Sequence, residues 1–166
     1  VGNINLLAAI IFISRTASGG RMKGTYCLLF ALPRDVSVRV GALGKRDFPA
    51  GAYVYVGSAL GGVEGRVGRH RRAGKRKKWH IDYLLDKGEV VATIVVPSDE
   101  KRTECSVARS MVSSGEAEAV VPGFGSSDCR CPSHLLYLGD IDPERAAETV
   151  SMAITMLASA YRRTID

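Results

Sequence analysis

Tyr55 lies in an apolar run, Ala52-Tyr53-Val54-Tyr55-Val56-Gly57-Ser58-Ala59, and Arg66 and His70 follow it four residues apart. Side chains with that spacing share one side of a helix. Arginine keeps its charge near neutrality and can donate two parallel hydrogen bonds to phosphate oxygens. Histidine exchanges protons near pH 7. Positive charge continues from there: residues 66–78 hold eight Lys or Arg and no acid. A tyrosine hydroxyl, an arginine, a histidine and dense positive charge form a kit for breaking a phosphodiester bond. That reaction needs a base for water and stabilisation of charge on the transition state.

These residues need a folded body to position them. The chain has 166 residues, 46% of them apolar and 24% charged, which suits one globular domain with a real core. The formal charge is +6, and subtracting the eight basic residues of 66–78 leaves −2 for the rest. A basic strip on a near-neutral body points to a polyanionic partner, where general basicity would not. The apolar run Leu6–Ile13 is too short to span a bilayer, which takes about 20 residues. It also lacks a preceding basic region, as a secretory signal would have. Met22 stands immediately before a strong strand pattern, so residues 1–21 are read as an upstream extension from a misassigned start codon.

The pattern predicts strands over Lys23–Leu32 and Val36–Val40, a turn-rich Gly41–Gly51, and a central strand over Ala52–Ser58. Helices follow over Val63–Arg72 and Trp79–Leu85, then a buried β-branched strand over Glu89–Val96. Ser98 is placed as the N-cap of a helix over Glu100–Ser113. Short strands are expected at Ala117–Val121 and Leu135–Leu138. Asp142 caps a final helix to about Arg163, with Pro143 at its first position and an apolar face of Ala146, Val150, Ile154, Leu157 and Tyr161. The fold class is α+β: a small mixed sheet flanked by helices over 22–140, with an added C-terminal helix over 141–166 packed on it.

Gly24-Thr25-Tyr26 on the first strand and Tyr55-Val56-Gly57 on the later one resemble the two signature tripeptides of the GIY-YIG nuclease superfamily. Gly57-Ser58-Ala59, Trp79-His80-Ile81-Asp82-Tyr83-Leu84 and Phe124-Gly125-Ser126-Ser127-Asp128-Cys129 look closest to its Uri-type branch. The resemblance implies a metal-dependent endonuclease acting on DNA, structure- or damage-directed, with RNA left open. It implies Tyr26, Tyr55, Arg66, His70 and Glu104 as catalytic residues, with Glu104 holding Mg²⁺ or Mn²⁺. Arg69, Arg71, Arg72, Lys75, Arg76, Lys77 and Lys78 would grip backbone phosphates without reading sequence. The family usually joins its two tripeptide strands by a short hairpin. Here Tyr26 and Tyr55 are 29 residues apart, and Asp35–Ala50 reads as an inserted strand and loop. The family also carries a polar residue, usually Asn, in the region of the cysteine loop. Ser126, Ser127, Asp128 or His134 would take that place. His80, next to Trp79, is read either as a nucleic-acid contact or as a packed helix histidine.

The four cysteines, Cys27, Cys105, Cys129 and Cys131, are too irregularly spaced for a disulfide framework, so a reduced, cytoplasmic protein is expected. Cys129, Cys131 and His134 place three soft ligands within six residues, and Cys105 could supply a fourth for zinc. The spacing is not that of a zinc knuckle and no second pair follows. The expectation is therefore a reduced, partly buried loop, with zinc as the alternative. Two other functions remain on the same fold: a non-catalytic nucleic-acid-binding module and a zinc-stabilised interaction domain.

Overall fold

The computed structural model describes residues 21–165. The reading of residues 1–21 as an extension lies outside them but for Arg21. Apolar and β-branched residues build a four-stranded sheet from β1 (Gly24–Leu32), β4 (Gly51–Ala59), β5 (Glu89–Pro97) and β6 (Leu135–Gly139). The strand order is β5-β1-β4-β6, and every neighbouring pair is antiparallel. β1 and β4 are central and buried along nearly their whole length.

Alternation of side chains sends the two faces of these strands into two cores. Tyr26, Leu28, Phe30, Tyr53 and Tyr55 pack against Val63 and Val67 of α1 (Val63–Arg71) and against Ile81, Leu84 and Leu85 of α2 (His80–Leu85). Cys27, Leu29, Val54 and Val56 face the other way. They meet Val107, Ala108 and Met111 of α3 (Thr103–Ser113) and Ala146, Val150 and Ile154 of α4 (Pro143–Ile165). The α+β class, the central strands and the C-terminal helix are as the sequence pattern requires, except that Tyr161, expected on the apolar face of α4, is 52% exposed because the helix has run past the core by its last turns. The Arg145 N–H donates to Asp142 Oδ1 at 2.8 Å, completing the expected cap of α4. Among the described residues no helix is long and apolar enough to cross a membrane.

Four local expectations are corrected. The turn-rich 41–51 segment contains a strand, β3 (Lys45–Phe48), which pairs with β2 (Val36–Arg39) in a separate hairpin. β5 is an edge strand buried mainly in its second half. Ala117–Val121 forms only an isolated bridge, between Glu118 and Tyr137. α3 begins at Thr103, because Ser98 Oγ accepts the Glu100 N–H at 3.0 Å and bonds the Thr103 hydroxyl at 2.7 Å, making a turn before the helix. The β2–β3 hairpin plants Val38, Val40 and Phe48 in the first core. Phe48 meets Phe124 edge-on at 6.1 Å, so the insertion braces the loop that follows α3.

Candidate active site and metal cluster

The chemistry-bearing residues meet at one end of the sheet. β1 enters the sheet there and β4 leaves it, with Tyr26 paired to Gly57 and Tyr55 to Leu28. Tyr26 and Tyr55 thus lie on one face of adjacent strands, two positions apart in register, and their ring centres are 6.3 Å apart. α1 starts just after β4 and brings Arg66 and His70, while the first turn of α3 brings Glu104. The result is an open cavity of about 550 Å³ lined by Tyr26, Tyr55, Ser58, Arg66, Glu104 and Asp128, among others.

A glycine makes this convergence possible. A Cβ on Gly57 would lie 2.4 Å from the Tyr26 hydroxyl oxygen, and the ring is walled in by the core. Gly57→Ala therefore displaces Tyr26. We expect it to lower stability by about 1–3 kcal/mol through overpacking and to slow any reaction that depends on Tyr26 about 100-fold. Denaturant unfolding and single-turnover kinetics check the two effects separately. Gly125 has a comparable duty: its φ is +70°, and an added Cβ would fall 2.7 Å from the Tyr55 ring.

Arg66 is positioned by an aromatic platform. Its guanidinium lies 4.3 Å from the Trp79 ring centre, and the Arg69 guanidinium and the Lys78 ammonium approach the same ring at 4.2 and 4.8 Å. Such cation–π contacts fix long side chains that would otherwise wander. The Arg66 guanidinium also approaches the Ser58 carbonyl at 3.4 Å. Ser58 Oγ is buried and has no hydrogen-bond partner among the described residues, which suits a cavity made for a polar ligand.

His70 is fully packed, 2% exposed, and its Nε2 is 2.8 Å from the Tyr26 hydroxyl. Burial drives its pKa down to about 4, against the upward pull of the Asp82 carboxylate. Burial also raises Tyr26 and Tyr55 far above the ordinary phenol value, and the Arg66 charge offsets only part of this. At pH 7 the pair is a neutral phenol and a neutral imidazole. An unfolded histidine takes up a proton near pH 6.5, whereas this one resists until about pH 4. The stability it contributes is present above 6.5 and is lost as pH falls toward 4, on the order of 2–3 kcal/mol. Wild-type urea midpoints should fall more steeply over that range than those of His70→Gln. Parallel curves would contradict this.

Glu104 is the carboxylate best placed for a divalent cation. Burial, then the charge of nearby Asp128, raise its pKa to about 7, with Lys101 pulling the other way. A carboxyl held partly protonated at neutral pH, facing a cavity beside a second carboxylate, fits a hard cation that takes oxygen ligands and keeps several waters. Of the polar residues considered for the family's Asn position, Ser127 and Asp128 line the cavity, and Asp128 pairs with Lys101. Ser126 is buried, and His134 belongs to the cysteine cluster.

The basic strip divides between internal support and open surface. Arg69 donates to both Asp82 oxygens at 2.9 Å and to the Arg76 carbonyl. Lys75 donates to the carbonyls of His70 and Arg72, and Lys77 donates to the Asp82 carbonyl and to Asp86. Arg71 reaches Thr93 at 3.3 Å. Arg72 and Arg76 are exposed. Arg71, Arg72 and Lys75 line a second open cleft of about 800 Å³ along edge strand β5, whereas Lys78 lines the cavity with Arg66. His80 is half-buried and meets both readings: its Nδ1 accepts the Gly125 N–H at 3.0 Å and its ring meets Phe124 at 5.5 Å, while it also lines the cavity.

The cysteines are free and buried or half-buried, as expected of a reduced loop, and the loop also gathers them into a cluster able to hold a metal. Loop 123–134 folds back so that Cys129, Cys131 and His134 meet Cys105 of α3, and the four ligand atoms lie within 4.8 Å of one another. His134 Nε2 is 3.7 Å from Cys105 Sγ and 3.5 Å from Cys129 Sγ. Ligand atoms on a tetrahedral zinc stand about 3.5–3.8 Å apart, given Zn–S near 2.3 Å and Zn–N near 2.0 Å. The donor set and spacing therefore fit a metal, and three thiols with one imidazole favour zinc over magnesium. Burial and the neighbouring thiols push Cys105 up to about 12, and burial raises Cys131. Thiols so placed become thiolates only with a cation among them.

The fold and site define an α+β domain with a polar cavity at the end of its sheet and a Cys₃His cluster behind it. The chain belongs to the family described as domain of unknown function DUF123, whose model matches residues 25–157 and so spans both features. No curated protein and no solved structure matches it. In the sequence Asp82 and Trp79 stand out only as parts of the Trp79–Leu84 motif. Their roles as a buried anion and a cation platform had one local signal, an acid in the first turn after an aromatic residue.

Proposed function

We propose that this domain hydrolyses phosphodiester bonds in DNA as a divalent-metal-dependent endonuclease of the GIY-YIG type, close to the Uri branch. The observation that carries this reading is the meeting of Tyr26, Tyr55, Arg66 and Glu104 around one cavity, with His70 bonded to Tyr26 beneath it. Arg66, held by Trp79, would bind the non-bridging oxygens of the scissile phosphate and neutralise charge that grows in the transition state. Tyr26, hydrogen-bonded to a neutral imidazole, would accept a proton from the attacking water as it passes its own to His70. Tyr55 walls the cavity beside it. Glu104, with Asp128 near, would hold the cation, which when bound supplies Lewis-acid polarisation of the phosphate. Lys78 and the exposed Arg72 and Arg76 would engage the backbone on either side without reading bases. The Cys₃His cluster would hold a structural zinc, pinning loop 123–134 to α3.

Supercoiled plasmid and a branched duplex, each incubated with the protein and Mg²⁺ or Mn²⁺, test the reading. Cutting with metal and none with chelator is expected. Salt-sensitive binding without cutting under any metal would favour a non-catalytic binding module instead.

A further inference from the structure

Asp82 has no surface exposure, yet it lies at the centre of a polar network that no catalytic role yet explains. Its Oδ2 accepts the backbone N–H groups of Lys78 and Trp79 at 2.8 and 3.0 Å, and Arg69 grips both oxygens. Burial opposes its ionisation, but these donors outweigh burial and hold the carboxyl down at about 2. It is therefore a fixed anion. Its Oδ1 stands 3.6 Å from His70 Nδ1, which is buried and makes no hydrogen bond to any described residue. The other groups against the imidazole are Tyr26, the edge of Tyr55 and Trp79.

We propose that Asp82 is a positioning residue for His70, holding the imidazole as the Nδ1–H tautomer so that Nε2 is the acceptor for the Tyr26 proton. An Nδ1 lone pair aimed at a carboxylate is repelled, and an N–H aimed at it is attracted. The proton on one ring nitrogen is set by what the other nitrogen faces. Nε2 then carries the lone pair at 2.8 Å from Tyr26 Oη. The phenol must donate to it, which turns the oxygen's free lone pairs toward the cavity, where a water can be bound. The inference rests on the hydrolytic reading above and completes its proton path. As the water oxygen bonds to phosphorus and the bond to the leaving oxygen breaks, one water proton passes to Tyr26 and the Tyr26 proton to Nε2. The leaving oxygen takes a proton from solvent, and the imidazolium returns one. While charged, His70 faces the Asp82 anion. The arrangement is that of a serine hydrolase triad with tyrosine in the serine position.

Long-range ¹H–¹⁵N correlation spectra of the three histidines, with His70 assigned from His70→Gln, test this without DNA or cleavage. The expected pattern is a protonated Nδ1 and an unprotonated Nε2 near pH 7.5. A protonated Nε2, or an even mixture, would overturn the proposal whatever the cleavage assay gives. The expected tautomer in a protein that never cuts DNA would uphold the assignment of Asp82 while refuting the nuclease reading. Asp82→Asn should change the tautomer and slow single-turnover cleavage by 10²- to 10⁴-fold, the scale of the equivalent change in serine hydrolases. In a His70→Ala background it should add nothing further, and an additive loss would speak against action through His70. If Asp82→Asn does not fold, the wild-type spectrum alone decides.

Discussion

Cys131→Ser is expected to abolish stoichiometric zinc in the purified protein and to lower its melting temperature by at least about 10 °C. His134 Nε2 already stands at tetrahedral distances from two of the thiols and all four ligand atoms lie within 4.8 Å of one another, so a bound ion needs only a modest contraction and its binding energy becomes folding energy. A loss of several kcal/mol moves the midpoint of a domain this size by roughly 2–4 °C per kcal/mol. The effect is large because of what the cluster joins. Cys105 belongs to α3, and the other three ligands close the loop whose Phe124 reaches the hairpin and whose Gly125 packs on Tyr55. Replacing zinc by Co²⁺ gives a direct readout, since tetrahedral thiolate coordination produces intense visible and near-ultraviolet bands. Metal-free protein with an unchanged midpoint would remove zinc from the account.

Arg66→Ala and Glu104→Ala are each expected to slow single-turnover DNA cleavage by about three orders of magnitude, with the fold intact. Loss of a single preorganised donor to a developing anion costs about 10²–10³ in rate, and loss of the carboxylate removes the cation as well. Arg66 lies on α1 against Trp79, so its removal leaves Val63 and Val67 to hold the helix to the sheet. Glu104 is 7% exposed, and its removal relieves an ionisation that burial already opposes. Neither variant should lose stability. Circular dichroism melts beside the rate measurements separate a chemical defect from unfolding. DNA binding at low salt should survive in both, because Lys78, Arg72 and Arg76 remain.

The main frame was legible because local pattern and burial agree. Strands β1 and β4 are dense in apolar and β-branched residues and prove central, and the period of α4 follows its buried face. β3 was hidden because Lys45, Arg46 and Asp47 are all exposed, so its strand shows no alternation between apolar and polar. β5 reads as buried because every residue after Glu89 is apolar or β-branched, and nothing in composition marks a strand as an edge. The site was legible where spacing along one element was enough, as for Arg66 and His70, or where a resemblance linked distant residues, as for Tyr26 and Glu104. The metal cluster was legible only as an alternative: its four residues stand out by type, but Cys105 joins a loop 24 or more residues later only through the packing of α3. The basic strip looked uniform in sequence, but buried Asp82 draws Arg69 and the Lys77 ammonium inward.

The central claim is that this cavity, and not surface charge, cuts the phosphodiester. Nicking of supercoiled plasmid in Mg²⁺ by wild type, measured beside the Arg66→Ala/Glu104→Ala double variant at equal DNA occupancy, tests it most directly. The account predicts cutting by the wild type and none by the double variant, with both bound to the plasmid. Equal cutting by the two proteins, or none by either, would contradict it.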